Sequence, residues 1–363
     1  RRVLFRSGVT ADSGAGRIGM WGRALAGTTG WNQGICLNWD DNSNPNMITS
    51  DAATADAINI YSDSSASASP SARGIVAFWY GVLDAKRGYQ GLQILATKAG
   101  GGISLTGIGG MTSNAGDGHG IWLEFADILA ISGPITLNGA SSSDTATYGL
   151  ESGWRGNGSG LVRLGGWQTA GSTAVGGGTI TTPGGVTANF TNSSADVTIN
   201  ADSVYSWEGS YGTSVSTTGN VAILPATYNS TTGLIASATN FERAQNTTNV
   251  QFAQFSLPNR VASFTIGRDG ATNPVTFKSS VNSVGDIQIF GGTATAAGNL
   301  DVSGGSSKIL IKGAADAAVS GARTLSTQGG SVTLWGDSDA SGNGRVFLDA
   351  SSSITSRGGA VTL

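Results

Sequence analysis

Residues 329–363 read GGSVTLWGDSDASGNGRVFLDASSSITSRGGAVTL, and this stretch decides the fold. It opens and closes on one phrase, a glycine pair followed by two apolar residues one apart, first Val332 and Leu334, then Val361 and Leu363. Apolar side chains spaced by two share one face of an extended strand. Written as G-x-[I/V]-x-[L/I]-x-G, the phrase recurs as GRIGMWG from Gly16, GGISLTG from Gly101, GPITLNG from Gly133 and GLVRLGG from Gly160. It returns as GDIQIFG from Gly285 and SKILIKG from Ser307, with looser relatives in GICLNW, AINIYS, ADVTIN, GNVAIL and ASFTIG.

In the last third the phrase begins at residues 285, 307, 330 and 359, in steps of 22, 23 and 29. Upstream, Gly91-Leu92, Gly120-Ile121 and Gly149-Leu150 form a second series with steps of 29. Self-similarity on this scale marks stacked repeats, in which each unit buries its apolar edge against its neighbours. Each unit holds two or three short strands with Gly, Ser, Asn and Asp turns and no room for a ten-residue helix, which excludes helical and leucine-rich solenoids. A propeller blade needs about 40 residues and four longer strands.

The expectation is therefore an all-β chain, a right-handed parallel β-helix forming an elongated rod. Coils of roughly 22 to 30 residues give about 12 to 16 of them, on the order of 60 to 80 Å of rod. Ile287 and Ile289, Ile309 and Ile311, and Val332 and Leu334 are expected inside, with Gln288, Leu310 and Thr333 outside. Corner glycines are expected to supply positive φ. The stretches DDNSNPNMITSDAATAD and YSDSSASASPSARG read as lengthened turns projecting at corners. Residues 1–200 read as N-terminal coils and 261–363 as regular C-terminal coils. Between them, 201–260, richer in aromatics and Asn, reads as irregular coils or a lateral insertion of one continuous solenoid.

Composition agrees. Among 363 residues there are 57 glycines, 12% charged residues and a net charge of −3. So little Lys and Glu disfavours surface helices, and 20 scattered Lys and Arg give no basic face for nucleic acid. No apolar run reaches the roughly 18 residues of a membrane-spanning helix. A single cysteine, Cys36, excludes an internal disulfide framework and sits on the opposite side of its strand from Ile35 and Leu37. The chain begins RRVLFRSGVTADSG, without an initiator Met or signal segment, and closes in mid-coil at GGAVTL, so it reads as an interior portion with more chain or another subunit to follow.

The combination of GSVTLWGDSDASGNGRVFLD, GDIQIFGGTATAAGNLDVSG and GPITLNGASSS resembles the repetitive regions of giant secreted bacterial proteins of the filamentous-haemagglutinin-like type, with kin among autotransporter passengers. A degenerate copy lies near the start, where INIYSDSSASASPSARGIVAFW matches VTLWGDSDASGNGRVFLD. The likeness covers most of 16–166 and 262–363. It implies an extracellular or cell-surface β-helix acting as adhesin or fibre, without catalysis or cofactor. Its partners would be neighbouring solenoid segments or subunits, surface glycans or a receptor.

Parallel β-helices also bind or cleave carbohydrate, and this is the alternative. Hydrolysis needs two carboxylates about 5 to 9.5 Å apart. The candidates are Asp40 with Asp41, Glu124 with Asp127, Glu151, Glu242, and Asp337 with Asp339; only the first and last sets are close in sequence, both read as ordinary turn residues, and no catalytic residue is assigned. Asp337, Asp339 and Ser341 match the opening of a calcium loop, but Leu348 stands where its bidentate Glu belongs. His119, the only histidine, reads as a solvated turn residue. The surface contacts singled out are Trp21, Tyr61, Phe290 and Trp335, an aromatic recurring at one outward place in the coil phrase, able to stack on a sugar or a neighbouring rod or to pack under an adjoining turn.

Overall fold

The computed structural model describes residues 3–5, 9–24, 32–37, 46–69, 71–77, 91–110, 118–142, 148–153, 162–167, 178–206, 212–242 and 255–363. Among them there is no helix. The chain winds as a parallel β-solenoid of eleven coils, with strands laid on three walls in a constant order. The third wall is unbroken. Its strands are Ile18–Arg23, Ile58–Asp63, Ile103–Gly109, Ile135–Ser141, Val197–Ala201, Asn220–Asn229, Ser263–Ile266, Ile287–Gly291, Ile309–Gly313, Val332–Trp335 and Val361–Thr362, each hydrogen-bonded in parallel to the next.

The first wall runs from Val3–Phe5 through Gln33–Leu37, Arg73–Ala77, Ile121–Leu123 and Leu150–Ser152 to Val204–Ser206, and resumes from Val275–Phe277 to Val346–Leu348. The second wall runs from Thr10–Asp12 to Phe255–Ser256 and resumes from Val281–Ser283 to Ser353–Thr355, the parallel bridge between Val261 and Ser283 joining its two parts.

Alternation builds the core. One column of the third wall stacks Ile18, Ile58, Ile103, Ile135, Val197, Val221, Phe264, Ile287, Ile309, Val332 and Val361 in register. Two residues on, Met20, Ile60, Leu105, Leu137, Ile199, Ile223, Ile266, Ile289, Ile311 and Leu334 form another. With inward residues of the other walls these make one continuous apolar cluster. Gln288, Leu310 and Thr333 point outward, as expected.

Three expectations are corrected. The first is coil length. From Phe264 onward the first column follows the short spacing expected, through Ile287, Ile309, Val332 and Val361. Upstream, from Ile18 through Ile58, Ile103, Ile135 and Val197 and again from Val221 to Phe264, the coils are longer and therefore fewer. Ten steps of about 4.8 Å give a stack of about 48 Å, shorter than expected. The second concerns the upstream series, which mixes walls because all three use the same alternation. Ile121 and Leu150 pair on the first wall, whereas Leu92 pairs with Ala126 on the second. Likewise GLVRLGG supplies second-wall residues and GICLNW first-wall ones.

Third, the two long turns hold more structure than expected. Asn46–Ser50, inside DDNSNPNMITSDAATAD, is a second-wall strand with Ile48 in the core. Within YSDSSASASPSARG, Ser64, Ser67 and Ser69 are buried, and Ser64 Oγ donates to the Arg73 carbonyl at 2.6 Å. That turn joins a third-wall strand to a first-wall strand, just as DSDASGNG does eight coils later.

Corner glycines serve close approach more than positive φ. A Cβ on Gly330, two residues before a third-wall strand, would lie 1.7 Å from the Ser307 carbonyl oxygen of the coil before, and one on Gly359 would lie 2.0 Å from that of Gly330. Positive φ falls on their neighbours Gly329 and Gly358. Gly330→Ala is expected to destabilise the fold by about 1–3 kcal/mol through forced displacement of the stacked coil. Gly305→Ala, where the nearest atom to a new Cβ is 3.6 Å away, is expected to be near neutral. Denaturant midpoints of the two variants check the contrast.

Candidate functional site

The outward position singled out for aromatics is one register column of the third wall. Trp21 pairs with Tyr61, and Phe290 with Lys312 and then Trp335. Between these groups the column is Thr106, Asn138, Asn200 and Leu224. The four aromatics therefore share a side of the rod but form no common platform: Trp21 and Trp335 are nine coils apart, about 43 Å.

Their surroundings differ. Trp21 is 67% exposed and lies over Gly19, where a Cβ would meet its ring at 2.6 Å. Trp335 is 49% exposed, with Lys312 Nζ 4.4 Å from the ring centre and that ammonium held by Asp269. Tyr61 is half-buried under a lateral hairpin. The antiparallel pair Asn220–Asn229 and Leu234–Ser237 extends from coil 6 back to coil 2, where Tyr61 Oη donates to the Gly233 carbonyl at 3.3 Å and Tyr228 Oη to Ser65 Oγ at 3.0 Å. Burial, with Asp63 adding to it, pushes the Tyr61 phenol above its usual range.

A denser group lies on the outer face of the first wall. Alternation turns Cys36, Val76, Trp122, Glu151 and Tyr205 outward in register, yet Cys36 and Val76 are fully buried. His119 is only 4% exposed, which corrects the reading of a solvated turn residue. Its Nε2 lies 3.0 Å from Glu151 Oε2, and its Nδ1 accepts the Tyr148 backbone N–H at 3.1 Å. A backbone amide can only donate, so Nδ1 carries no proton and Nε2–H faces the carboxylate. The ring stacks on Tyr148, Tyr148 stacks on Tyr205, and the fully buried Arg73 guanidinium sits 4.0 Å over Trp122.

This arrangement joins coils 3 to 6 side by side. The nitrogen that would take a proton from a nucleophile is occupied by a main-chain donor, so His119 is placed as a clamp between coils and not as a base.

The outer face of the second wall carries a second group. Asp127, fully buried, accepts from Arg163 Nη1 at 2.9 Å and from Gln93 Nε2 at 3.3 Å, and Arg163 in turn lies 3.8 Å over the Trp167 ring. A small hairpin, Thr179–Thr181 with Thr187–Asn189, covers this face. Phe190, Ala188 and Trp167 pack on Leu95 and Leu129 as a second apolar cluster. Burial raises the Asp127 carboxyl above the ordinary range, with Arg163 opposing the shift. Arg73 and Arg163 escape a reading of the sequence, although each is a lone cation inside an apolar strand phrase, ARGIVAF and LVRLG.

The remaining candidate acids are placed as follows. Glu124 lies just past the first-wall strand Ile121–Leu123 and Asp127 on the second wall, with Phe125, whose φ of 51° turns the corner, between them. Glu242 accepts from Thr227 Oγ1 at the lateral hairpin, and Asp40 and Asp41 lie outside the described residues. Asp337, Asp339 and Ser341 form an exposed turn in which Asp337 Oδ1 accepts Gly342 N–H at 2.8 Å and Ser341 Oγ–H at 3.1 Å. These donors hold the Asp337 carboxyl below its usual range. Among the described residues no three of His, Cys, Asp or Glu converge as metal ligands. A cavity of about 500 Å³ between Trp335, Arg345 and Leu363 is the open edge of the outermost coil.

Removing one partner of a buried ion pair leaves an uncompensated charge. Arg163→Met is expected to cost about 3–5 kcal/mol, while Asp127→Leu combined with Arg163→Met costs far less. The loss in the single variant depends on pH in a defined sense. Asp127 has a folded-state value above the unfolded 3.8, so the folded state holds its proton more tightly. Stability is thus regained as pH falls through the folded value and lost as it rises. Urea midpoints across pH 3 to 8 check both the size and the sign.

No family model, curated protein or solved structure matches this chain.

Proposed function

We propose that the chain is a structural and adhesive segment of a giant extracellular surface protein or fibre, as its likeness to filamentous-haemagglutinin-like proteins implies. It works as a rigid spacer whose sides make the contacts. The observation that supports this most is the third wall: eleven parallel strands hydrogen-bonded in one ladder along the whole described chain. Such a ladder ties backbone to backbone along the axis and leaves side chains of one face free for display. On that face Asn138 donates to Thr106 at 3.1 Å and Asn200 to Asn138 at 2.9 Å, so even the displayed polar groups reinforce the stack.

A carbohydrate-binding reading is favoured by one observation, the exposed rings of Trp21 and Trp335. Their separation makes them independent contacts along a rod and not two subsites of one groove. Sugar stacking on them would serve adhesion.

Beads coated with the chain should adhere to a panel of glycans or cell surfaces. Trp21→Ala and Trp335→Ala should weaken that adhesion while shifting the unfolding midpoint by no more than about 0.5 kcal/mol. Incubation with polysaccharides should release no reducing ends or unsaturated products. Product release that disappears in Glu151→Gln would overturn the proposal in favour of an enzyme.

A further inference from the structure

The lateral hairpin carries an edge that the rod does not use. Its return strand, Leu234–Ser237, pairs with Asn220–Asn229 and with no other described strand. The register sets Ala226 opposite Ser237, Thr227 opposite Ala236, Tyr228 opposite Ile235 and Asn229 opposite Leu234. One step beyond, Ala238 N–H donates to the Pro225 carbonyl at 3.1 Å. Opposed residues of an antiparallel pair alternate between exchanging main-chain bonds and turning both groups away. Counting back from Ala238, Ala236 and Leu234 face the partner strand, whereas Ile235 and Ser237 turn N–H and C=O to the other side. Among the described residues no hydrogen bond reaches those main-chain groups. Arg268 Nη2 donates to Ser237 Oγ at 3.4 Å, on the side chain alone.

Sheet proteins ordinarily guard such an edge with lysine, proline, a bulge or a covering loop. From Tyr228 to Asn240 the sequence reads YNSTTGLIASATN, without a charge or a proline. Leu234 is 58% exposed, and Ala236 and Ser237 are exposed beside it, whereas Ala226 on the partner strand is buried. The hairpin is pinned to coil 2 through Tyr61 and Tyr228, so the edge is held extended before anything pairs with it. A preformed edge loses little conformational entropy on pairing.

The edge is also complementary to itself. A two-fold axis at Ala236 brings Ile235 opposite Ser237 of a second copy and Ser237 opposite its Ile235, and each opposed pair can exchange both main-chain bonds. Ala236 then meets Ala236 at the axis, in the closely spaced kind of pair, where a methyl side chain fits. Identical segments without charge meet without like-charge repulsion.

We propose that a second copy of this chain docks on this edge, Leu234–Ser237 antiparallel to Leu234–Ser237, so that two rods join side by side by strand addition. The hairpin runs along the rod from coil 6 to coil 2, so the two-fold makes the rods point opposite ways. An edge of 4 residues falls well short of the roughly 1,600 Å² of a standard interface. Single chains therefore pair weakly, and the contact gains strength where several copies stand on one fibre.

The test uses the 363-residue chain. In sedimentation velocity its mean mass should rise with concentration toward that of two chains and stop there. Ile235→Pro removes an outward N–H without touching the bonds to the partner strand, and Ala236→Lys sets two ammonium groups face to face at the axis. Both should stay monomeric where the parent pairs, with circular dichroism and unfolding midpoints close to the parent's. Ala236→Cys places two thiols where opposed Cα atoms lie about 4.5 Å apart, within disulfide reach. Mild oxidation should link that variant to itself much faster than Ser230→Cys at the exposed hairpin tip, and the parent, whose Cys36 is buried, should stay unlinked.

Parent chains that stay monomeric up to millimolar concentration would overturn the inference, as would Ala236→Lys chains that pair like the parent. So would Ala236→Cys and Ser230→Cys chains that link at equal rates or not at all. The pairing goes beyond the spacer reading and fails separately from it. Monomeric rods that still adhere sink the pairing alone, whereas polysaccharide cleavage by paired rods sinks the spacer alone.

Discussion

Everything in this molecule depends on the register between one winding and the next. In a parallel ladder with side chains alternating every residue, a slip of one residue turns the whole apolar set of a strand outward. Here three such strands are joined by short corners, so a slip in one wall is opposed by the other two. The columns from Ile18 to Val361 and from Met20 to Leu334 are held by that coupling. Corners enforce it sterically. Two residues before the first core residue of the third wall stands Gly, Ala or Ser in every coil but the second, where Asp56 takes the place. At Gly330 and Gly359 the preceding coil's carbonyl fills the space a side chain would need.

Two kinds of coil follow from this. From Phe264 onward the winding is bare and short, with its outer faces left to solvent and simple turns. Upstream the coil is dressed: the hairpin Thr179–Thr181 with Thr187–Asn189 lies over the outer face of the second wall, and on the first wall the outward Cys36 and Val76 are as buried as Ile35. A face made outward by alternation and then covered keeps polar residues that must be paired where they stand. Asp127 with Arg163 and His119 with Glu151 are the result, each linking neighbouring coils.

How much of this was legible follows the same division. The phrases at 285, 307, 330 and 359 are third-wall coil starts as read, since in bare coils the period of two is the only signal. In dressed coils the sequence carries three similar walls and inserted chain together, so the Gly91-Leu92 pair groups by pattern with strands of another wall. Asn46–Ser50 escapes notice because one core residue, Ile48, stands among Asn, Thr and Ser. Asn46 is there for its side chain, whose Oδ1 accepts Val9 N–H at 3.0 Å. His119 and Asp127 look like exposed polar residues because their burial comes from tertiary covering. No local pattern announces the hairpin 179–189 closing over Leu129.

A solenoid moves the edge-strand problem to its two ends. In the third wall every described strand from Ile58–Asp63 to Val332–Trp335 is paired on both sides, so its N–H and C=O groups are used within the ladder. A coil duplicated whole adds a pair of matched edges and removes none, so length can change without altering either the core or the ends. Coils 1, 10 and 11 share one spacing of strand starts, and the Ser13-to-Gly16 turn of coil 1 is repeated by Ser356 and Gly359 of coil 11, so one winding plan serves at separate places in the stack. Coils 2, 3 and 5 carry more chain between these starts, which the inner columns permit because insertion at a corner leaves their register untouched.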